Sequence, residues 1–143
     1  MPDEAVHFRI RPEYKRLYFD VFVWGSRRAM HDHLTTQFEA RGWKKTVAVF
    51  VVPAWRARNC LGEIHFNRKW LDYDTIAHEA QHAALAWAKH KNLDVVEIIY
   101  PFEPSKLTGE AEEQLCEAIG ALCHQISLAL MDIDDYFKGE RNR

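Results

Sequence analysis

The residues best placed to do chemistry in this 143-residue chain are His78 and His82, which stand four apart in the segment His78-Glu79-Ala80-Gln81-His82. On a helix, that spacing puts two imidazoles about 40° apart in azimuth and one turn apart in height, so both rings can reach one point. Imidazole suits a borderline-soft cation, and catalytic zinc sites take three protein ligands and leave a fourth position for water. Glu79 follows His78 by about 100° around such a helix, beside the metal rather than aimed at it. The pattern predicts one zinc ion per chain, with Glu79 as the base that takes a proton from metal-bound water during hydrolysis. Two histidines supply two ligands, and a third must come from elsewhere.

The flanking sequence has to build the support for that point. Asp74 or Thr75 can cap a helix over about 76–89, whose Ala77, Ala80, Ala83, Ala84 and Ala88 favour helix and permit close packing. Before it, 61–67 alternates Ile64 and Phe66 with Glu63, His65 and Asn67, the period of a strand with one buried face. Its other side is expected to stay accessible, so that an extended peptide or protein substrate can pair with strand 62–67. After it, a long helix over about 109–137 carries Leu115, Ile119, Leu122, Ile126 and Leu130 on one stripe. Glu110, Glu112, Glu113 and Glu117 near its start offer acids to complete the metal site.

Further elements are legible upstream. Aromatic and β-branched residues over 14–24 predict a strand, and Ser26 caps a helix over 26–41 with Met30, Leu34 and Phe38 at four-residue spacing. The apolar run 46–52, closed by Pro53, reads as a buried strand. Residues 91–108, with two prolines, are expected to give a short extra strand and a loop. Together these elements predict an α+β fold: one domain over 1–143, with a small mixed β-sheet of three to four strands packed against an N-terminal helix, the motif helix and a long C-terminal helix.

From about Gly62 to Ile126 the chain resembles the zincin metallopeptidases, and in particular the gluzincin branch typified by thermolysin. The strand ending in Asn67, the polar link, the motif and the later acid-bearing helix are also similar to small ImmA-like and SprT-like domains. In thermolysin-like enzymes the third ligand is a Glu, followed four residues later by an acid that orients a ligand His, then three later by Gly. Glu113, Glu117 and Gly120 repeat that spacing. The resemblance therefore implies Glu113 as third ligand and Glu117 behind a histidine ring N–H, although Glu117 stands where the family has Asp. Gly120 would let the last helix approach the motif helix closely. Helical geometry leaves Glu112 as a competitor for the third position. The implied activity is zinc-dependent peptide hydrolysis. The alternative is a non-catalytic or regulatory zinc-binding protein on the same scaffold, such as a phage or mobile-element factor that acts by binding a partner protein.

Hydrolysis also needs a donor for the developing oxyanion. Tyr73, Tyr100, His65 and His124 are available, with Tyr100 ahead because it lies between the ligand-bearing segments. His31 and His33 should face apart on their helix and bind no metal. Cys116 and Cys123 are expected in small apolar roles, and Cys60 has no evident partner. Three cysteines without a CxxC pair argue against a disulfide framework, and with no signal-like N-terminus or bilayer-length apolar stretch the expected setting is cytoplasmic, away from membranes. The net charge of -2 divides into 13 Lys+Arg against 7 Asp+Glu over 1–70, and 6 against 14 over 71–143. That asymmetry does not indicate a nucleic-acid binder.

Overall fold

The computed structural model describes residues 5–13, 15–38, 47–93 and 109–141. The elements run β1 (Val6–Ile10), β2 (Tyr18–Trp24), α1 (Arg27–Phe38), β3 (Ala48–Val51), β4 (Cys60–Asn67), a 3-10 turn (Arg68–Trp70), α2 (Tyr73–His90) and α3 (Gly109–Arg141). The four strands form one mixed sheet in the order β1-β2-β4-β3, with the β2–β4 pair parallel and both outer pairs antiparallel. The architecture is α+β, as the sequence predicts.

Strand pleating assigns the residues of β2 to two layers. Phe19, Val21 and Val23 join Ile64 and Phe66 of β4 in the main core, which α2 and α3 close with Ile76, Ala80, Ala83, Ala84, Leu115, Ala118, Leu122 and Ile126. Phe22 and Trp24 face the other way, where Met30 and Leu34 of α1 pack over them. Fully burying side chains of this size is worth roughly 1.5–3 kcal/mol each, so the sheet is fixed from both sides.

Several expectations need correction. β4 is the second strand from the edge, paired with β2 on one side and β3 on the other, so it offers no free edge to a substrate. Its Glu63-His65-Asn67 face is covered as well, because α1 lies over that side; His65 meets Glu63 and Asn67 Oδ1 accepts from Lys69 N, while Asn67 Nδ2 is buried without a partner among the described residues. Conversely, β3 is an edge strand and half-buried throughout. Its continuous apolar run reflects coverage of both faces, with Ala48 and Phe50 on the main core and Val49 on the α1 side. Phe50 lies down on β4 because Gly62 has no side chain; a Cβ there would come within 2.7 Å of the ring.

β1 has no counterpart in the sequence reading. Asp20 of β2 holds it through His7 at 2.7 Å and Arg9 at 3.2 Å, and Gln125 of α3 clasps the backbone N–H and C=O of Arg11 at 2.7 Å each. By length and mean hydropathy, Glu110–Ile133 of α3 suffices to cross a bilayer, which the sequence reading did not expect. Here Leu115, Ala118, Leu122 and Ile126 of that stretch pack into the core beside α2. The strand expected within 91–108 falls almost wholly outside the described residues.

Candidate metal centre

α2 begins two or three residues earlier than the cap expected from sequence. Asp72 is the N-cap, and its carboxylate accepts from the Thr75 N–H at 2.7 Å. The alanines 80, 83, 84 and 88 have no exposed surface, which lets α2 pack tightly along α3 and fixes which way the remaining residues point. His78 and His82 project from the solvent side of α2, while Glu79 turns in at the flank.

The two histidine rings meet, with Nε2 to Nε2 at 3.1 Å and ring planes 75° apart. Two nitrogens held at about 2.0–2.1 Å from one tetrahedral ion stand roughly 3.3 Å apart, so the observed pair is nearly spaced for it. Burial, and then the neighbouring His78, lower the pKa of His82 and favour the neutral imidazole that a metal requires. Glu79 is only 5% exposed, and its Oε2 has no hydrogen-bond partner among the described residues. Burial raises its pKa, against a smaller lowering by His78. A buried carboxylate with an unused oxygen is costly, and its placement beside two converging imidazoles fits a site for a cation.

His78 and Glu79 open into a cavity of about 350 Å³ lined also by Val47, Ala48, Asp74 and Thr75. The edge strand β3 forms its far wall. Since Asn67 N donates to Val47 O at 3.0 Å and Ala48 lies opposite Phe66, alternation along the ladder leaves the backbone N–H and C=O of Ala48 and Phe50 directed away from β4.

The sequence-predicted site is thus assembled in part. His78, Glu79 and His82 come together. Glu113 and Glu117 are exposed on α3, and Glu113 lies about 140–200° around the helix from Leu115, Ala118 and Leu122. Glu112, also exposed, is nearer that buried stripe, about 60–120° from Leu115, Ala118 and Leu122. Among the described residues, no three His, Cys, Asp or Glu side chains gather around one point. Gly120 is exposed, and a Cβ built on it meets nothing within 4 Å, so it does not bring α3 close to α2. Tyr100 lies outside the described residues.

The other oxyanion candidates are placed elsewhere. His65 is fully buried, accepting from Trp24 Nε1 at 3.0 Å through Nδ1 and meeting Glu63 Oε1 at 3.0 Å through Nε2. Tyr73 is 83% exposed and borders a different, apolar cavity with Leu71, Ile76 and Leu130. His124 is exposed on α3. His33, expected on a solvated helix face, instead packs 4.9 Å from Trp24 and 5.4 Å from His65. Cys116 is exposed and Cys123 half-buried, while the buried Cys60 thiol donates to Gly62 O at 3.3 Å. What the sequence reading missed is the wall opposite the motif: Val47 and Ala48 at the edge, and Asp74 as a lining residue rather than a cap. The four-residue spacing of Asp74, His78 and His82 was the available signal.

Compared with known proteins, the chain matches no family model, no curated protein and no solved structure.

Proposed function

We propose that this protein is a zinc-dependent metallopeptidase of zincin type, in which His78 and His82 hold the ion and Glu79 is the general base. The observation that carries the reading is the buried Glu79 carboxylate, unpartnered at Oε2, beside two imidazole nitrogens 3.1 Å apart at the mouth of a cavity. A zinc ion bound there would polarise the scissile carbonyl and bring the pKa of water towards about 7. Glu79 would accept the proton released in the attack and deliver it to the leaving amine. Its burial makes it a stronger base than a solvated glutamate. An extended peptide would lie along β3, pairing with the outward N–H and C=O groups of Ala48 and Phe50.

For the third ligand, the family resemblance favours Glu113, and position on α3 relative to the buried stripe favours Glu112. Zinc affinity of Glu113→Gln and Glu112→Gln decides between them, since loss of a direct ligand should weaken binding by about 100-fold or more, beyond the roughly 10–100-fold typical of an outer-shell partner. The mechanism is tested with Glu79→Gln, which should retain zinc and lose peptide hydrolysis. Zinc-free protein after purification with the metal supplied would overturn the reading.

One observation favours a second reading. Only two candidate ligands converge among the described residues, which suits a zinc-binding protein that acts on a partner by contact without turnover. Unchanged biological activity in folded, zinc-loaded Glu79→Gln would select it.

A further inference from the structure

Asp74 stands one turn before His78, in the first turn of α2, and lines the same cavity as Glu79. At four-residue spacing, neighbouring side chains on a helix are about 5–6 Å apart at Cβ, so its carboxylate lies beside the reaction centre. Two acids stand at this end of the helix, and they are used differently. Asp72 is consumed by the cap, accepting from Thr75 N at 2.7 Å. Asp74 makes no hydrogen bond or ion pair with any described residue. Glu79, which also lines the cavity, is buried, and its Oε2 has no hydrogen-bond partner among the described residues. No Lys or Arg lines it, and Val47 and Ala48 supply an apolar wall along the edge strand.

From this arrangement we infer that the cavity is a subsite for a cationic side chain of the bound peptide, with Asp74 as its counter-charge. The inference rests on the reading of this site as a peptidase and specifies the substrate class it would take. Lysine and arginine match both parts of the lining: their methylene stems cover apolar surface while the charged head reaches a carboxylate.

The test uses extended, end-blocked ten-residue peptides in which one position at a time carries either Arg or Gln. Binding is measured by fluorescence anisotropy on zinc-loaded Glu79→Gln protein, with and without Asp74→Asn. At one position, the Arg peptide should bind about fivefold or more tightly than its Gln partner, consistent with a partly exposed charge pair. That ratio should fall towards one in Asp74→Asn, return in Asp74→Glu and shrink with added salt. An unchanged ratio in Asp74→Asn, equal binding of Arg and Gln peptides at every position, or no binding of any peptide would overturn the subsite. Hydrolysis of the same peptides by the zinc-loaded wild type is read separately. Cleavage without an Asp74-dependent preference removes the subsite and leaves the peptidase, whereas Asp74-dependent binding without cleavage removes the peptidase and leaves the subsite.

Discussion

Two histidine clusters lie on opposite sides of the same strands, and they differ in how completely the protein satisfies them. On the α1 side, His65 has both ring nitrogens engaged, by Trp24 and Glu63, and its ring stacks on Phe22 at 4.9 Å. Trp24 Nε1 donates to Nδ1, which assigns the ring proton to Nε2 and makes Glu63 its acceptor. On the α2 side, two exposed imidazoles have only each other as hydrogen-bond partners among the described residues, and the buried acid next to them keeps an oxygen unused there. A closed polar network contributes to folding. An open one costs stability unless something outside the chain completes it, which is how binding and catalytic sites differ from structural ones.

The largest effect that follows is on the closed cluster. His65→Ala removes a fully buried ring and strands the Trp24 N–H and a Glu63 oxygen, so it should destabilise the fold by about 2–4 kcal/mol. Urea unfolding measures this, and zinc should not rescue it. A loss below about 1 kcal/mol would show that the network contributes little and would dissolve the contrast.

Next in size is the effect of removing an imidazole on the open side. If the proposed zinc site is right, His78→Ala or His82→Ala should lower zinc affinity by about 100-fold or more, since each would remove one of few ligands. Because both rings are exposed, metal-free stability should shift by only about 0.5 kcal/mol or less. Calorimetric zinc titration beside urea unfolding reads both. A large fall in metal-free stability would mean that this pair, too, is structural.

How much of this contrast was legible in the sequence depends on whether the deciding information is local. Helix spacing alone brings His78 and His82 together, and Ser26 caps α1 as expected, accepting from Ala29 N at 3.1 Å. The order of strands is a non-local matter. Nothing within 61–67 shows that β2 pairs along it in parallel, so its polar alternation reads as a solvent face when it is an interior one. His65 and His33 look like exposed polar residues until Trp24, 41 residues from His65, supplies a donor. The same limit applies to β1, whose anchors Asp20 and Gln125 are distant in sequence. Glu113 came from spacing on a resembling motif, and spacing does not fix how a helix is rotated about its axis.

Glu79 gives a smaller effect of opposite sign. Its folded pKa is raised, so the ionised form is penalised in the folded state: its contribution to stability is greatest below the usual glutamate pKa and is lost as pH rises through the folded value. At neutral pH, metal-free Glu79→Gln should therefore be more stable than wild type by about 1 kcal/mol, the lower end of the cost of an unsatisfied buried polar group. Thermal unfolding across pH checks this, with the gap closing on acidification through the raised pKa. A Glu79→Gln protein less stable than wild type at every pH would mean that the carboxylate is satisfied, and the open side would lose its defining feature.

The smallest effect sharpens the comparison through protons alone. His33 sits against the closed cluster, and burial, then His65, lower its pKa, with Glu63 opposing. A histidine whose folded pKa is depressed contributes stability that is complete above the usual value near 6.5 and is lost as pH falls towards the folded pKa. His82 carries the same sign on the open side, again from burial first and His78 second. Metal-free wild type should thus lose stability as pH falls below about 6.5, through both histidines. Zinc should protect only the His82 share, since a metal-bound imidazole resists protonation until acid displaces the ion. His33→Gln should flatten the acid slope of unfolding free energy equally with and without zinc, and His82→Gln only without it. Zinc dependence in the His33→Gln slope would mean that the two faces of the sheet are coupled rather than independent.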